Sequence, residues 1–207
     1  MKAKKLNIVV MGSTQGTDLP VIINAIKKKK LNAKISLIIS NKPAAGIVEK
    51  AIKHKLPFAV IQNKGMNREE HNALLIDELK KINPDLILLI GWMTILNPEF
   101  VKKYGNKTMN IHPSLLPAFA GRMDKDVHKA VLDSGIKKTG CTLHFITDKA
   151  DEGPIILQET VLISKKETED SLKKKVQKAE QRVFIKAVKL YSEGRIELKG
   201  NKVKILG

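Results

Sequence analysis

The sequence predicts an α/β protein in which a mostly parallel, twisted β-sheet carries helices on both faces and is extended by an antiparallel ribbon. Two observations lead to this prediction. In the first half of the chain, short apolar runs alternate with segments whose apolar residues recur at helical spacing, which indicates parallel strands joined by helices. In the second half, two strand-like runs follow each other with no helical segment between them, which favours antiparallel pairing.

The alternation of strand and helix begins with Leu6–Met11, an apolar run that ends at Gly12. Apolar residues fall at helical spacing in the next segment, Asp18–Ile26. The later pairs of strand and helix are Ile35–Ser40 with Ala44–Lys53, Phe58–Gln62 with Arg68–Lys81, and Leu86–Ile90 with a short helical stretch near Glu99–Lys103. Apolar strands separated in this way imply a sheet that is covered on both faces.

The pattern changes after the strand-like segment Lys107–Ile111. The later predicted elements are the ribbon strands Gly140–Thr147 and Pro154–Ile163, the long helix Glu167–Tyr191, and a closing hairpin of Arg195–Leu198 and Lys202–Leu206 around Gly200–Asn201. No repeat or linker separates these elements. We therefore expect a single domain over residues 1–207.

The composition indicates a globular enzyme. Of 207 residues, 43% are hydrophobic and 29% charged, and no apolar run approaches the ~20 residues of a membrane-spanning helix. The single cysteine, Cys141, excludes an intramolecular disulfide and agrees with a reducing compartment. We expect a cytoplasmic protein with no membrane partner. We expect it to be a monomer or a homodimer.

The formal charge of +17 raises the possibility of a basic nucleic-acid-binding module. Only four of the 38 basic residues are arginine, and aromatic residues make up 4%. Bidentate phosphate recognition favours arginine, and single strands stack on aromatic rings. We expect no specific nucleic-acid partner, with attraction of anionic substrates as a secondary effect of the charge.

Ligands of open α/β sheets bind beyond the carboxyl ends of the strands. The first such end is the loop Gly12–Asp18, whose small residues and free backbone N–H groups at a helix start suit a phosphate. The alternative is a simple turn in which Thr17 or Asp18 caps the helix. The loop contains neither of the glycine motifs that bind a nucleoside triphosphate or a dinucleotide.

Two further strand ends carry polar side chains. The two-residue period of a strand places Asn110 and His112 on one face, and it places His144 and Asp148 on one face of Thr142–Asp148. A carboxylate beside an imidazole favours the imidazolium form. Asn110, His112 and Asp148 could therefore form one site, although each has a structural explanation by itself. A serine nucleophile and a zinc site are disfavoured, because the sequence has neither a G-x-S-x-G elbow nor a histidine-pair helix.

The segment Asn110–Pro117, followed by Asp148, Asp151 and Gly153–Pro154, resembles the folate-dependent formyltransferases. The resemblance extends from Gly16 to Glu180, and it is greatest to the members that formylate glycinamide ribonucleotide. It implies a Rossmann-like fold, 10-formyltetrahydrofolate as a consumed co-substrate, and no metal. By resemblance, the catalytic residues are Asn110, His112 and Asp148; the substrate-binding residues are Gly16, Thr17, Asp18, Arg68 and Glu180; and the folate-binding residues are Met93, Thr94, Ile95, Leu96 and Asn110.

The sequence departs from this family at two positions near the expected ligands. Asp18 stands where asparagine is common, and Thr94 stands where arginine is often found. The alternatives within the same fold are a methionyl-tRNA formyltransferase core, a sugar-nucleotide formyltransferase and a formyltetrahydrofolate hydrolase. The tRNA enzyme normally carries a further C-terminal domain and the hydrolase an N-terminal regulatory domain, so the single-domain prediction favours glycinamide ribonucleotide as the acceptor.

Overall fold

The computed structural model describes residues 4–122 and 124–207, without the side chains of residues 124–126. The chain divides into two compact units, Met1–Asn110 and Ile111–Gly207. Each unit is built around its own strands. The expectation of one domain stays a prediction.

The first unit alternates strands and helices, as predicted. Its elements are β1 (Leu6–Met11), α1 (Leu19–Lys27), β2 (Ala33–Ser40), α2 (Gly46–Lys53), β3 (Phe58–Val60), α3 (Arg68–Ile82), β4 (Leu86–Leu89), α4 (Pro98–Tyr104), a 3-10 turn (Gly105–Lys107) and the start of β5 (Thr108–His112), whose last two residues belong to the second unit. The strands pair in parallel in the order β3-β2-β1-β4-β5.

The central strands of this unit explain why the sheet is covered on both sides. Successive residues of a strand point to opposite faces, yet Ile8–Met11 of β1 and Leu86–Leu89 of β4 are all buried. Both faces must therefore pack against other parts of the protein. Burial on both faces favours continuous apolar runs over polar alternation, which is the pattern of these two segments.

The start of α3 is fixed by a reciprocal cap. The side chain of Asn67 accepts a hydrogen bond from the backbone N–H of Glu70 at 2.9 Å, and the Glu70 carboxylate accepts one from the backbone N–H of Asn67 at 3.0 Å. A capping box of this kind satisfies two backbone donors at a helix start. It sets the position of Arg68, the first residue of the helix.

The second unit contains the predicted antiparallel ribbon and the long helix. Its elements are α5 (Asp124–Asp133), β6 (Lys138–Phe145), β7 (Ile155–Leu162), α6 (Glu169–Ser192) and the hairpin β8 (Ile196–Lys199) with β9 (Lys202–Ile205). β6 and β7 pair antiparallel, as do β8 and β9. The predicted fold class is thus confirmed, whereas helix α5 was not predicted.

Candidate active site

Strand β5 presents the two polar side chains that the sequence singled out. Asn110 is half-buried and pairs in parallel register with Leu89 of β4. His112, the last residue of the strand, is only 3% exposed. One residue, Ile111, lies between them along the strand, so the two-residue period places their side chains on the same face. The strand thus carries both residues at the predicted spacing, and their common role in one site stays a prediction.

Both ring nitrogens of His112 face oxygen acceptors. Nδ1 lies 3.1 Å from Oδ2 of Asp151, and Nε2 lies 3.1 Å from the backbone oxygen of Phe119. A carboxylate and a carbonyl can only accept, so both contacts become hydrogen bonds when the ring carries two protons. Each ring nitrogen of His112 therefore has an acceptor within hydrogen-bond distance.

Asp151 is held by three groups in the second unit. Besides His112, its Oδ2 accepts a hydrogen bond from the backbone N–H of Gly121 at 2.9 Å, and its Oδ1 lies 3.6 Å from Nε2 of His144. Burial raises the pKa of Asp151. The hydrogen bonds from His112 and His144, the charge of His112 and the Gly121 N–H outweigh burial and hold this pKa far below its ordinary value. Asp151 is therefore a stable carboxylate beside His112.

The structure pairs His112 with a carboxylate other than the predicted Asp148, whose catalytic role stays a prediction. Asp148 is exposed, and the carboxylate beside His112 belongs to Asp151. The two-residue period was extended from Thr142 to Asp148, but β6 ends at Phe145, so the alternation of faces does not hold beyond that residue. The chain turns back instead, through Asp151 in the left-handed conformation at φ +58°.

Gly153 supplied a sequence signal for this turn. A Cβ atom on Gly153 would lie 1.7 Å from the backbone oxygen of Phe145, so the returning chain fits against β6 only where no side chain is present. The backbone N–H of Phe145 donates to the Pro154 oxygen at 3.0 Å, which closes the turn. Gly153 lies two residues after Asp151 in the sequence. This glycine therefore marks a tight turn beside Asp151 that sequence reasoning could have used to select this aspartate.

The predicted phosphate loop in the first unit approaches helix α2 closely. Gly16 has φ +60°, and a Cβ there would lie 2.7 Å from Ile47. Lys50 donates to the backbone oxygen of Gln15 at 2.7 Å. Asp18 is 3% exposed and has helical backbone angles, φ −89° and ψ −20°, instead of the extended conformation of a residue whose side chain caps a helix. Packing, more than capping, determines the shape of this loop.

The predicted folate segment is anchored to the same loop. The Met93 N–H donates to Ser13 Oγ at 3.1 Å, and a Cβ on Gly91 would come within 2.1 Å of Thr14 Oγ1. Ile95 is 65% exposed, whereas Leu96 is buried. The predicted folate segment therefore exposes the apolar side chain of Ile95, while the hydrogen bond of Met93 fixes the start of its backbone.

The remaining predicted binding residues differ in their exposure. Arg68 is half exposed and its Nε lies 3.2 Å from Glu69 Oε1. Glu180, in contrast, is only 7% exposed on α6. Thr17, Met93 and Thr94 are half-buried. The binding roles of all these residues stay predictions.

Neither a cluster of metal ligands nor a membrane span is present in the part of the chain that the structure describes. In residues 4–122 and 124–207, no group of three or more His, Cys, Asp or Glu side chains is placed to hold a metal ion. No helix within those residues is long and apolar enough to cross a bilayer.

Comparisons with known proteins agree on one family. Residues 6–188 match the family described as formyl transferase. The chain is 34% identical to the phosphoribosylglycinamide formyltransferase of Escherichia coli, over 95% of this chain and 92% of that protein. It is 37% identical to the bovine trifunctional purine biosynthetic protein adenosine-3 over 97% of this chain, but it spans only 20% of that relative.

Solved structures include two activities on this fold. The glycinamide ribonucleotide transformylase 1 of Symbiobacterium toebii superposes with a TM-score of 0.93 and 31% identity, covering 98% of this chain and 95% of that one. A formyltetrahydrofolate deformylase of Pseudomonas syringae superposes with a TM-score of 0.89 and 26% identity, covering 99% of this chain and 67% of that one.

Proposed function

Because the chain belongs to the formyl transferase family, we propose that it transfers the formyl group of 10-formyltetrahydrofolate to the amine of glycinamide ribonucleotide, a step of de novo purine synthesis that leads to IMP. The observation that carries this proposal is the His112–Asp151 pair at 3.1 Å at the end of the strand that bears Asn110. The likeness to the Escherichia coli enzyme over nearly the full length of both proteins supports the choice of acceptor.

The chemistry begins when the neutral amine of the acceptor attacks the formyl carbon. The formyl oxygen becomes an oxyanion in the tetrahedral intermediate, and donors that are already in place stabilise it. The Asn110 amide and the His112 imidazolium supply these donors. For His112 to donate from Nε2, that nitrogen must leave the Phe119 carbonyl, which it contacts at 3.1 Å.

Asp151 takes the role that the sequence assigned to Asp148. Its carboxylate keeps His112 protonated and oriented, because it contacts Nδ1 and leaves Nε2 for the substrate. The amine loses a proton and the folate nitrogen gains one as the carbon–nitrogen bond to folate breaks. Asp151 assists this transfer through water. No covalent enzyme intermediate is needed.

The two substrates are assigned to the predicted binding residues as part of the same proposal. Gly16, Thr17 and Asp18 cradle the phosphate of the ribonucleotide, which the backbone N–H groups of a helix start favour. Arg68 contacts the substrate as a cation, and Glu180 suits the ammonium form of the glycinamide. Met93, Thr94, Ile95 and Leu96 line the folate site together with Asn110. A cytoplasmic monomer or homodimer belongs to the same proposal.

Hydrolysis of 10-formyltetrahydrofolate is the second candidate function. The superposition on the Pseudomonas syringae deformylase supports it, since water in place of the amine would use the same oxyanion donors. The two reactions differ in their dependence on the acceptor. Transfer requires the amine, whereas hydrolysis consumes the folate in buffer.

The test is a formyl-transfer assay followed by absorbance of the folate product, with glycinamide ribonucleotide, charged methionyl-tRNA or buffer. Turnover that depends on glycinamide ribonucleotide is expected. Loss of the formyl group at equal rates in all three mixtures would instead identify a hydrolase. Turnover with the tRNA substrate would identify a different transferase, and inactivity in every mixture would contradict the proposal.

A further inference from the structure

A second histidine faces the carboxylate of Asp151. His144 is 2% exposed, and its Nε2 lies 3.6 Å from Oδ1 of Asp151. His112 contacts the other oxygen, Oδ2, at 3.1 Å. One carboxylate therefore lies between two imidazoles, with one oxygen toward each ring.

The backbone determines which nitrogen of His144 carries a proton. Nδ1 lies 2.8 Å from the backbone oxygen of Phe145, and a carbonyl only accepts, so Nδ1 is the donor. Nε2 is therefore the nitrogen that faces Oδ1 of Asp151. A lone pair on Nε2 would meet the negative charge of the carboxylate, whereas an N–H is attracted to it.

The backbone of Asp151 adopts a conformation that is uncommon for residues other than glycine. At φ +58° it lies in the left-handed region, which costs an L-residue about 1 kcal/mol or more. Conformations of this kind persist where surrounding contacts fix them. The turn is tight on the His144 side, where a Cβ on Gly153 would lie 3.3 Å from His144 Nδ1.

We propose that His144 is a positioning residue that holds Oδ1 of Asp151 and thereby keeps Oδ2 on His112. His144 does not touch the reacting atoms in this assignment, and it acts through Asp151 and His112. The proposal rests on the proposed function for its effect on turnover. Its effect on the geometry of Asp151 holds whichever acceptor the protein uses.

Three substitutions separate the two contacts of His144. Glutamine places an amide nitrogen near the position of Nε2, so His144→Gln keeps a donor toward Asp151. Asparagine places its amide nitrogen near the position of Nδ1, so His144→Asn keeps the bond to the Phe145 oxygen and loses Asp151. His144→Leu loses both contacts. The pair of Gln and Asn variants remains informative if the leucine variant does not fold.

The kinetic test compares kcat and KM of these variants in the formyl-transfer assay. We expect kcat of His144→Asn to fall roughly tenfold to a hundredfold, because small misplacements of a catalytic group have effects of that size. KM for both substrates should stay within about twofold, and His144→Gln should recover most of kcat. Equal kcat in wild type and His144→Asn would overturn the proposal, as would an equal loss in the Gln and Asn variants. Equal melting temperatures of these two variants exclude a folding effect.

A second measurement needs no substrate. The Nδ1 proton of His112 between ring and carboxylate should give a low-field proton resonance, which His112→Ala would remove and thus assign. We expect a sharp low-field resonance in the wild type and in His144→Gln. In His144→Asn we expect the same resonance to be broadened by exchange with solvent. His54→Leu, which changes a half-buried histidine of the first unit, is the control and should leave it unchanged.

The two measurements separate the two proposals. The expected resonance pattern without formyl transfer would retain the role of His144 and reject the proposed function. An unchanged resonance in His144→Asn would refute the positioning role even where transfer is observed.

Discussion

Gly153 lies against the backbone carbonyl of Phe145 so closely that a Cβ atom would come within 1.7 Å of the oxygen. This approach brings the chain back toward β6 after the strand has ended. Asp151, two residues earlier, thereby reaches Nδ1 of His112 at 3.1 Å. The position of the Asp151 carboxylate in the candidate site thus depends on residue 153, where only a glycine fits.

Gly153→Ala tests this dependence directly. The added methyl group must displace the turn, so we expect kcat to fall by about tenfold or more and the melting temperature to drop. Gly135→Ala is the comparison, because Gly135 is surrounded by open space at φ +67°. It should cost about 1 kcal/mol of stability through backbone strain and leave kcat unchanged. Equal kcat in both variants would contradict the geometric role of Gly153.

Asp151→Asn and Asp148→Asn distinguish the two carboxylates. The neutral amide that Asp151→Asn introduces cannot stabilise an imidazolium, so we expect turnover to fall by about two to four orders of magnitude, the range for general acid–base groups. Asp148 is exposed, and its substitution should change turnover by less than about twofold. The measurement is kcat/KM for both variants under one set of conditions. A larger loss at Asp148 would restore the sequence-based assignment.

His112→Ala and Asn110→Ala should both lower kcat while leaving the fold intact. Each removes one donor to the developing oxyanion, and the loss of one such donor costs about 10²–10³ in kcat. Circular dichroism and melting temperature verify the fold. An active His112→Ala variant would refute the proposed mechanism.

Gly16→Ala tests the phosphate loop. A methyl group there would meet Ile47 at 2.7 Å and would also strain the backbone at φ +60°. We expect KM for glycinamide ribonucleotide to rise by about tenfold with a smaller change in kcat, because phosphate binding is weakened in ground state and transition state alike. Gly194→Ala carries similar strain at φ +67° in open space and should leave KM unchanged. Matching KM values in the two variants would argue against phosphate binding by this loop.

Glu167 provides a pH-dependent contribution to stability. The Lys175 ammonium and the Ser171 hydroxyl lower its pKa, burial raises it, and hydrogen bonds from Ser164 lower it further, so that the pKa falls from 4.5 to about 2. In the unfolded chain the carboxyl binds protons at higher pH than in the folded protein. The contribution of Glu167 to the free energy of unfolding is therefore complete at pH values above its pKa in the unfolded chain. This contribution is lost as pH falls from 4.5 toward about 2.

Glu167→Gln should therefore lower the free energy of unfolding at pH 7 by roughly 1 to 2 kcal/mol, after a discount for the exposed Lys175. The difference from wild type should shrink as pH falls below the unfolded pKa. Urea unfolding at neutral pH and near pH 3 measures both values. A difference that is independent of pH would show that the carboxylate charge is not responsible.

The repeating part of the fold could be predicted from the sequence because its signal is local. Ile8–Met11 of β1 and the whole of β4 are continuous, buried apolar runs, and the helices between strands show apolar residues at their own period. Helix α5 was missed for the opposite reason. Val127, Ala130 and Val131 fall at helical spacing and both valines are fully buried, but a match over little more than one turn is a weak periodic signal.

The sequence by itself determined the α/β class, the antiparallel ribbon, and the placement of Asn110 and His112 on one strand, because strand and helix periods relate residues that are neighbours in the chain. Tertiary structure decided which carboxylate meets His112. Asp148 and Asp151 lie three residues apart, and neither composition nor period separates them. The choice depends on where β6 stops, on the left-handed turn at Asp151 and on the space beside Gly153. Those are properties of chain packing, which brings together groups that no local pattern relates.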